Sequence, residues 1–239
     1  MPKPRTLTLK TLREQVYDHL RERLNRGALV PGQSVDLSKL SRQLGVSKTP
    51  LRFALFQLEN EGFVTILPRR GCLVNVLTLD EIRNIYQIIG SLESSVVRRE
   101  FSRITPEIIE RMRGFNEAGR EALNKDDFDR YYAFNLDFHN EYLSLTTNER
   151  LAREVETLKH RLYDFPRQGR FVKEWELRST HEHDEFVRLI EHGRARDAAA
   201  YIRDVHWDYD TQSPYIEQYY GDGPFETVTA LEAGQPAVR

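Results

Sequence analysis

The 239-residue chain has one cysteine, Cys72, and only two methionines and two tryptophans. A single thiol excludes a disulfide framework and any zinc site built on paired thiolates, which leaves histidine and carboxylate chemistry for a metal. No apolar run approaches the ~20 residues that a membrane-spanning helix needs. The basic start, MPKPRTLTLK, is followed by no hydrophobic stretch of the secretory kind. The expectation is a cytoplasmic protein with no membrane partner. A glycine-rich phosphate loop and a nucleophile motif are also missing. The length suits one large domain or two modest ones.

The formal net charge of -2 conceals a partition. Up to Leu77 there are 13 Lys and Arg against 6 Asp and Glu, a balance of +7; from Thr78 onward 22 stand against 31, a balance of -9. A basic small domain joined to an acidic larger one suggests that the first part meets a polyanion and the second does not.

Leu12, Val16, Leu20 and Leu24 recur every fourth residue ahead of Gly27, predicting a first helix that ends near Arg26. Val30-Pro31-Gly32-Gln33 reads as a turn. Asp36 is a candidate cap for a short helix carrying Leu37, Leu40 and Leu44, stopped by Gly45. Ser47 caps a third helix whose buried stripe is Leu51, Ala54, Leu55 and Leu58. Two extended runs, Phe63 to Leu67 and Cys72 to Val76, flank Pro68-Arg69-Arg70-Gly71, a hairpin with a basic tip. Three helices and a hairpin make a winged helix-turn-helix, expected over residues 8–77. Its third helix would present Ser47, Lys48, Thr49 and Arg52 to a major groove, while Arg69, Arg70 and Gly71 at the tip meet the backbone or minor groove.

Residues 78–220 read as an all-α antiparallel helical bundle, so the fold is mainly α with one small β-hairpin. Thr78-Leu79-Asp80-Glu81 is a capping box ahead of the stripe Ile82, Ile85, Ile89, Leu92 and Val96. Further helices start at Thr105-Pro106, Asp126-Asp127 and Asn148, a fifth covers roughly Phe171 to His192, and a sixth runs from Ala195 to Tyr209 or beyond, with Pro214 as its kink or end. The Gly-, Pro- and Ala-rich segment 221–239 is expected to be mobile.

Three helices of this bundle carry a polar interruption in an apolar face. Asn135 and His139 interrupt the aromatic stripe Phe128, Tyr132 and Tyr142; His183 interrupts Trp175, Phe186 and Ile190; His206 interrupts Ile202 and Tyr209. Each imidazole alone reads more readily as a hydrogen-bonded core residue. Together the three can converge on a divalent ion such as zinc or nickel, with Asn135 as a weak ligand or the holder of a water. His181 should face elsewhere, and His160 and His192 belong to the surface.

The run Leu44-Gly45-Val46-Ser47-Lys48-Thr49-Pro50-Leu51-Arg52, then Leu58-Glu59-Asn60-Glu61-Gly62 and the Arg69-Arg70-Gly71 tip, resembles the winged head of GntR-family bacterial transcription regulators. Leu92-Glu93, Phe138-His139, Glu182-His183 and His206 resemble the FCD ligand domain of the FadR-like subfamily. The resemblance implies a homodimer on a pseudo-palindromic DNA operator, a repressor more readily than an activator, controlled by a small effector such as an organic acid held in the bundle. Tyr86, Tyr132 and Tyr142 are candidates to line that effector pocket. It also implies metal ligands at Asn135, His139, His183 and His206. Departures are present: Asn135 replaces an acidic ligand, and Ile89 an arginine that can meet an effector carboxylate. Lys48 replaces arginine and Phe53 replaces glutamate, and the interval from His183 to His206 is one residue longer, with room in the Gly193-Arg194 loop.

Two other readings compete. A metal-dependent enzyme in the bundle would use the same histidines, but no second carboxylate stands out on their stripes as a general base. An architectural DNA binder with no effector explains the charge partition and leaves the polar interruptions without a purpose.

Overall fold

The computed structural model describes residues 10–163 and 171–220. The segment 221–239 and its expected mobility lie outside the described residues. The chain divides into two compact units between Val76 and Leu77.

In the first unit, α1 (Leu12–Asn25), α2 (Leu37–Leu44) and α3 (Lys48–Asn60) are followed by the hairpin strands β2 (Val64–Leu67) and β3 (Gly71–Val74). Sequence periodicity misses a further strand, β1 (Ser34–Val35), because two residues cannot show alternation. It pairs antiparallel with β3, giving a three-stranded sheet in the order β1-β3-β2 rather than a lone hairpin. The core gathers Val16, Leu20 and Leu24 of α1 with Leu51, Leu55 and Leu58 of α3, under Phe63, Cys72 and Val74. Leu12, the first apolar position of α1, is 52% exposed, because it belongs to the first turn.

The caps explain where these helices begin. Asp36 accepts from the backbone N–H groups of Ser38 and Lys39, and Gly45 ends α2 in the left-handed conformation. Ser47 occupies the cap position of α3, yet its side chain makes no capping hydrogen bond. Glu59 near the end of α3 accepts from Ile66 N–H at 2.6 Å, which ties the hairpin to the helix. Gly71 is obligatory: at φ +100° a Cβ would lie 2.3 Å from the Val35 carbonyl oxygen of β1.

The second unit holds α4 (Leu79–Glu100), α5 (Pro106–Asn124), α6 (Phe128–Leu143), α7 (Glu149–Tyr163), α8 (Lys173–Glu191), α9 (Ala195–Tyr201) and α10 (Tyr209–Tyr220). Among its described residues there is no strand. Thr78 and Glu81 form the reciprocal capping box of α4, and Thr105 and Asp127 cap α5 and α6. Helix α5 packs along α6 and α8, and α4 against α7 and α9. The buried line of α4 runs through Glu93 rather than through Leu92, which is only half-buried. Among the described residues no helix is long and apolar enough to cross a membrane.

The last helical stretch breaks earlier than its proline suggests. After α9 the chain winds a π turn over Ile202–His206, closed by Trp207 N–H donating to the Ile202 carbonyl, and α10 starts afresh at Tyr209. Pro214 lies inside α10 without ending it. The Asp210 carbonyl, which a proline four residues on cannot serve, accepts from the Ser213 hydroxyl instead.

Candidate functional site

In the first unit the polar residues read from the sequence gather on one exposed face. Ser47, Lys48, Thr49 and Arg52 line the first turns of α3, all exposed, and Arg69 and Arg70 stand exposed at the hairpin tip. Lys48, Arg52, Arg69, Arg70 and Gly71 border a single cleft of about 560 Å³ between α3 and the hairpin. Asp36, the acidic residue in its wall, is engaged as the α2 cap.

In the second unit α6 delivers His139, α8 delivers His183 and the π turn delivers His206. One ring nitrogen from each lies within 4.8 Å of the other two, and all three rings are buried. The π turn that carries His206 holds one residue more than an α turn.

Every ring has its Nδ1 occupied from behind. His139 Nδ1 lies 3.0 Å from Glu93 Oε2 and 2.7 Å from the Tyr142 hydroxyl. His183 Nδ1 lies 3.1 Å from Asn116 Oδ1, whose amide is fixed by donating to the Thr180 carbonyl and to Asp184. His206 Nδ1 lies 2.9 Å from Glu182 Oε2. With acceptors at Nδ1 that nitrogen carries the proton, so the Nε2 lone pairs are left for the centre of the cluster. His139 Nε2 and His183 Nε2 are buried with no hydrogen-bond partner. Three such imidazoles fit a small divalent ion with nitrogen preference.

Burial favours the neutral, ligating form of His139 and His183. Burial drives His139 down to about 3, helped by Lys159 and opposed by Glu93. Burial likewise holds His183 well below the usual imidazole range, with His206 and His139 adding repulsion. Burial works against ionised Glu93, but Lys159 and His139 outweigh it and keep its carboxyl below the ordinary range. Lys159 Nζ sits 2.5 Å from Glu93 Oε1, and Trp207 Nε1 and the Tyr142 hydroxyl donate to Oε2. Glu182 is similarly held ionised against burial, by His206, Gln212 and Arg178.

Asn135, one turn before His139, is buried; its amide nitrogen donates to Tyr163, and its Oδ1 has no hydrogen-bond partner. Together with His206 it lines a cavity of about 50 Å³ walled largely by aromatic rings, Tyr86 and Tyr132 among them. Tyr142 does not line that cavity, since it packs behind His139 and donates to Glu93. Burial raises the Tyr86, Tyr132 and Tyr142 hydroxyls well above their ordinary range, so they remain neutral. Ile89 is fully buried. His181 and His192 are exposed and His160 is half-buried, all outside the cluster.

Sequence reasoning overlooked the supporting groups. Three carboxylates surround the cluster: Glu93, Glu176 and Glu182 are all buried, with Glu176 and Glu182 in the cavity wall. Glu93 and Glu182 are committed to the backs of His139 and His206, and Glu176 accepts from the Tyr132 hydroxyl at 2.6 Å. One signal was available. Lys159 falls between Val155 and Leu162 on the apolar side of α7, where an unpaired lysine would not be tolerated.

Two family models match the chain: bacterial regulatory proteins of the gntR family over residues 12–74, and the FCD domain over residues 84–206. The Nta operon transcriptional regulator of Aminobacter aminovorans is 30% identical over 181 residues, covering 72% of this chain and 80% of that protein. The HTH-type transcriptional repressor RspR of Escherichia coli K12 is 26% identical over 146 residues, covering 61% of this chain and 64% of that protein. Among solved structures, McbR/YncC of E. coli shares the fold, with a TM-score of 0.65 at 21% identity over 89% of this chain and 99% of that one.

Proposed function

The chain belongs to the GntR family of bacterial regulatory proteins and carries an FCD domain, a transcription regulator with a DNA-binding head, and from that premise we propose that it is a repressor released by a small metabolite. Two copies paired through their helical units set two α3 helices on the half-sites of a pseudo-palindromic operator. The observation that carries this reading is the exposed row Lys48, Arg52, Arg69 and Arg70 along one cleft of the first unit. Ser47, Thr49 and Gly71 complete the contact set, their hydroxyls and backbone N–H groups serving phosphates.

In the helical unit, His139, His183 and His206 hold zinc or nickel, with Asn135 beside them. The unpartnered Nε2 atoms support this, because buried polar atoms left without partners are rare unless something unrecorded occupies them. Such an ion supplies a Lewis-acid anchor for an oxygen of the effector, an organic acid in the first instance. Tyr86 and Tyr132 border the space next to it. Effector binding changes the DNA affinity only to the extent that it favours one arrangement of the heads over another.

The test is a labelled duplex taken from beside the chain's own gene. A sequence-selective shift that weakens steeply with salt is expected, and its absence with purified protein defeats the reading. Elemental analysis of untagged protein should give close to one metal per chain, reduced by His139→Ala.

A further inference from the structure

The outward side of α3 carries aromatic rings where a solvated helix carries charge. Phe53 is 57% exposed and Phe56 is 47% exposed. With Leu51, Ala54, Leu55 and Leu58 turned inward, the winding of ~100° per residue groups Thr49, Phe53 and Phe56 on the opposite side. Phe56 also follows Lys48 and Arg52 at four-residue steps, and these three border the cleft that Arg69 and Arg70 close. Phe56 is therefore set beside cations, with Phe53 next to it, both on the exposed side of the helix.

A partner for this surface must answer both chemistries at once. A duplex does so: its phosphates meet the flanking cations, and thymine offers the apolar group on the floor of the major groove, its 5-methyl. An apolar protein surface would instead bury Lys48 and Arg52 without partners. Resting on the DNA-binding reading above, we propose that Phe53 and Phe56 are specificity-determining residues that contact thymine methyl groups, so that each half-site carries thymine beneath α3.

The experiment uses duplexes selected from a random pool by the full-length chain. Each thymine in turn is replaced by deoxyuridine, which lacks only the 5-methyl group. At one or two positions per half-site the replacement should weaken binding by about fourfold, the effect of one buried methyl. Phe53→Ala and Phe56→Ala, both at exposed positions, should each abolish the discrimination at one of those positions, whereas Arg52→Ala should weaken binding and leave the discrimination in place. Equal affinity for every thymine and uracil pair overturns the proposal, as does discrimination that survives both phenylalanine variants. A changed oligomeric state of those variants with unaltered selectivity also overturns it, by assigning the rings to a second copy of the chain. Failure to select any duplex overturns the DNA-binding reading as well, which separates the two failures.

Discussion

Glu182 Oε2 lies 2.9 Å from His206 Nδ1, and Glu182 directly precedes His183 on α8. Two consecutive residues of one helix thus supply a ring to the histidine cluster and the carboxylate that orients a ring arriving from another segment. Glu182→Gln removes the charge behind His206 while keeping the volume. Metal affinity should fall by roughly 10- to 100-fold, the usual effect of losing an outer partner. Competition against a chromophoric chelator measures it, and an unchanged affinity would count against His206 as a ligand.

Lys159 is 2% exposed and its ammonium is paired with a fully buried carboxylate, Glu93. Lys159→Met leaves that carboxylate facing His139, Tyr142 and Trp207 with no cation. The loss should be about 3–5 kcal/mol, the range for breaking one side of a buried pair. Urea denaturation reads it, and the double variant Lys159→Met, Glu93→Gln should recover part of the loss.

Gly71 and Gly32 both have positive φ, but only at Gly71 would a Cβ strike backbone; nothing lies within 4 Å of the position at Gly32. Gly32→Ala should cost about 1 kcal/mol, the strain of a left-handed alanine. Gly71→Ala should cost more, because β1 must move away from β3 as well. Thermal denaturation of the two variants side by side decides it, and equal melting temperatures would contradict the close approach of Val35.

Cys72 is buried in β3, and burial first, then Glu59, pushes its thiol up to about 11. The fold favours the neutral thiol, so this contribution to stability is complete below the unfolded value near 9 and is lost as pH rises from there to about 11. At pH 8 an aromatic disulfide reagent should therefore label Cys72 only as fast as the first unit opens, with acceleration by urea and by Gly71→Ala. Rapid stoichiometric labelling in native buffer would show that the thiol is accessible.

Helices were legible wherever an apolar stripe and a cap coincided, as at Thr78 with Ile82, Ile85 and Ile89. The inward direction of His139, His183 and His206 followed from the same periodicity, since spacing fixes the face of a helix on which a residue sits. Spacing does not reveal which nitrogen of a ring is free. That depends on Glu93, Asn116 and Glu182, which the fold brings up from distant positions. The strand Ser34–Val35 exists because β3 offers it an edge, not because two residues have a preference of their own. Phe53 and Phe56 lie opposite the stripe Leu51, Ala54, Leu55 and Leu58, so their outward side was legible in the spacing, whereas the place of Phe56 beside Arg69 and Arg70 depends on how the hairpin folds back over α3.

The underwound π segment at Ile202–His206 sets the rotational phase of two neighbours at once: His206 reaches the other imidazoles and Trp207 reaches Glu93. Winding this stretch as an ordinary α helix with its length unchanged would swing both side chains by about 100°, whereas removing one residue along with the π turn would keep their phase. The winding at this point is therefore as much a determinant of the cluster as the identity of any ring, and a tally of matching histidines alone would not register its loss.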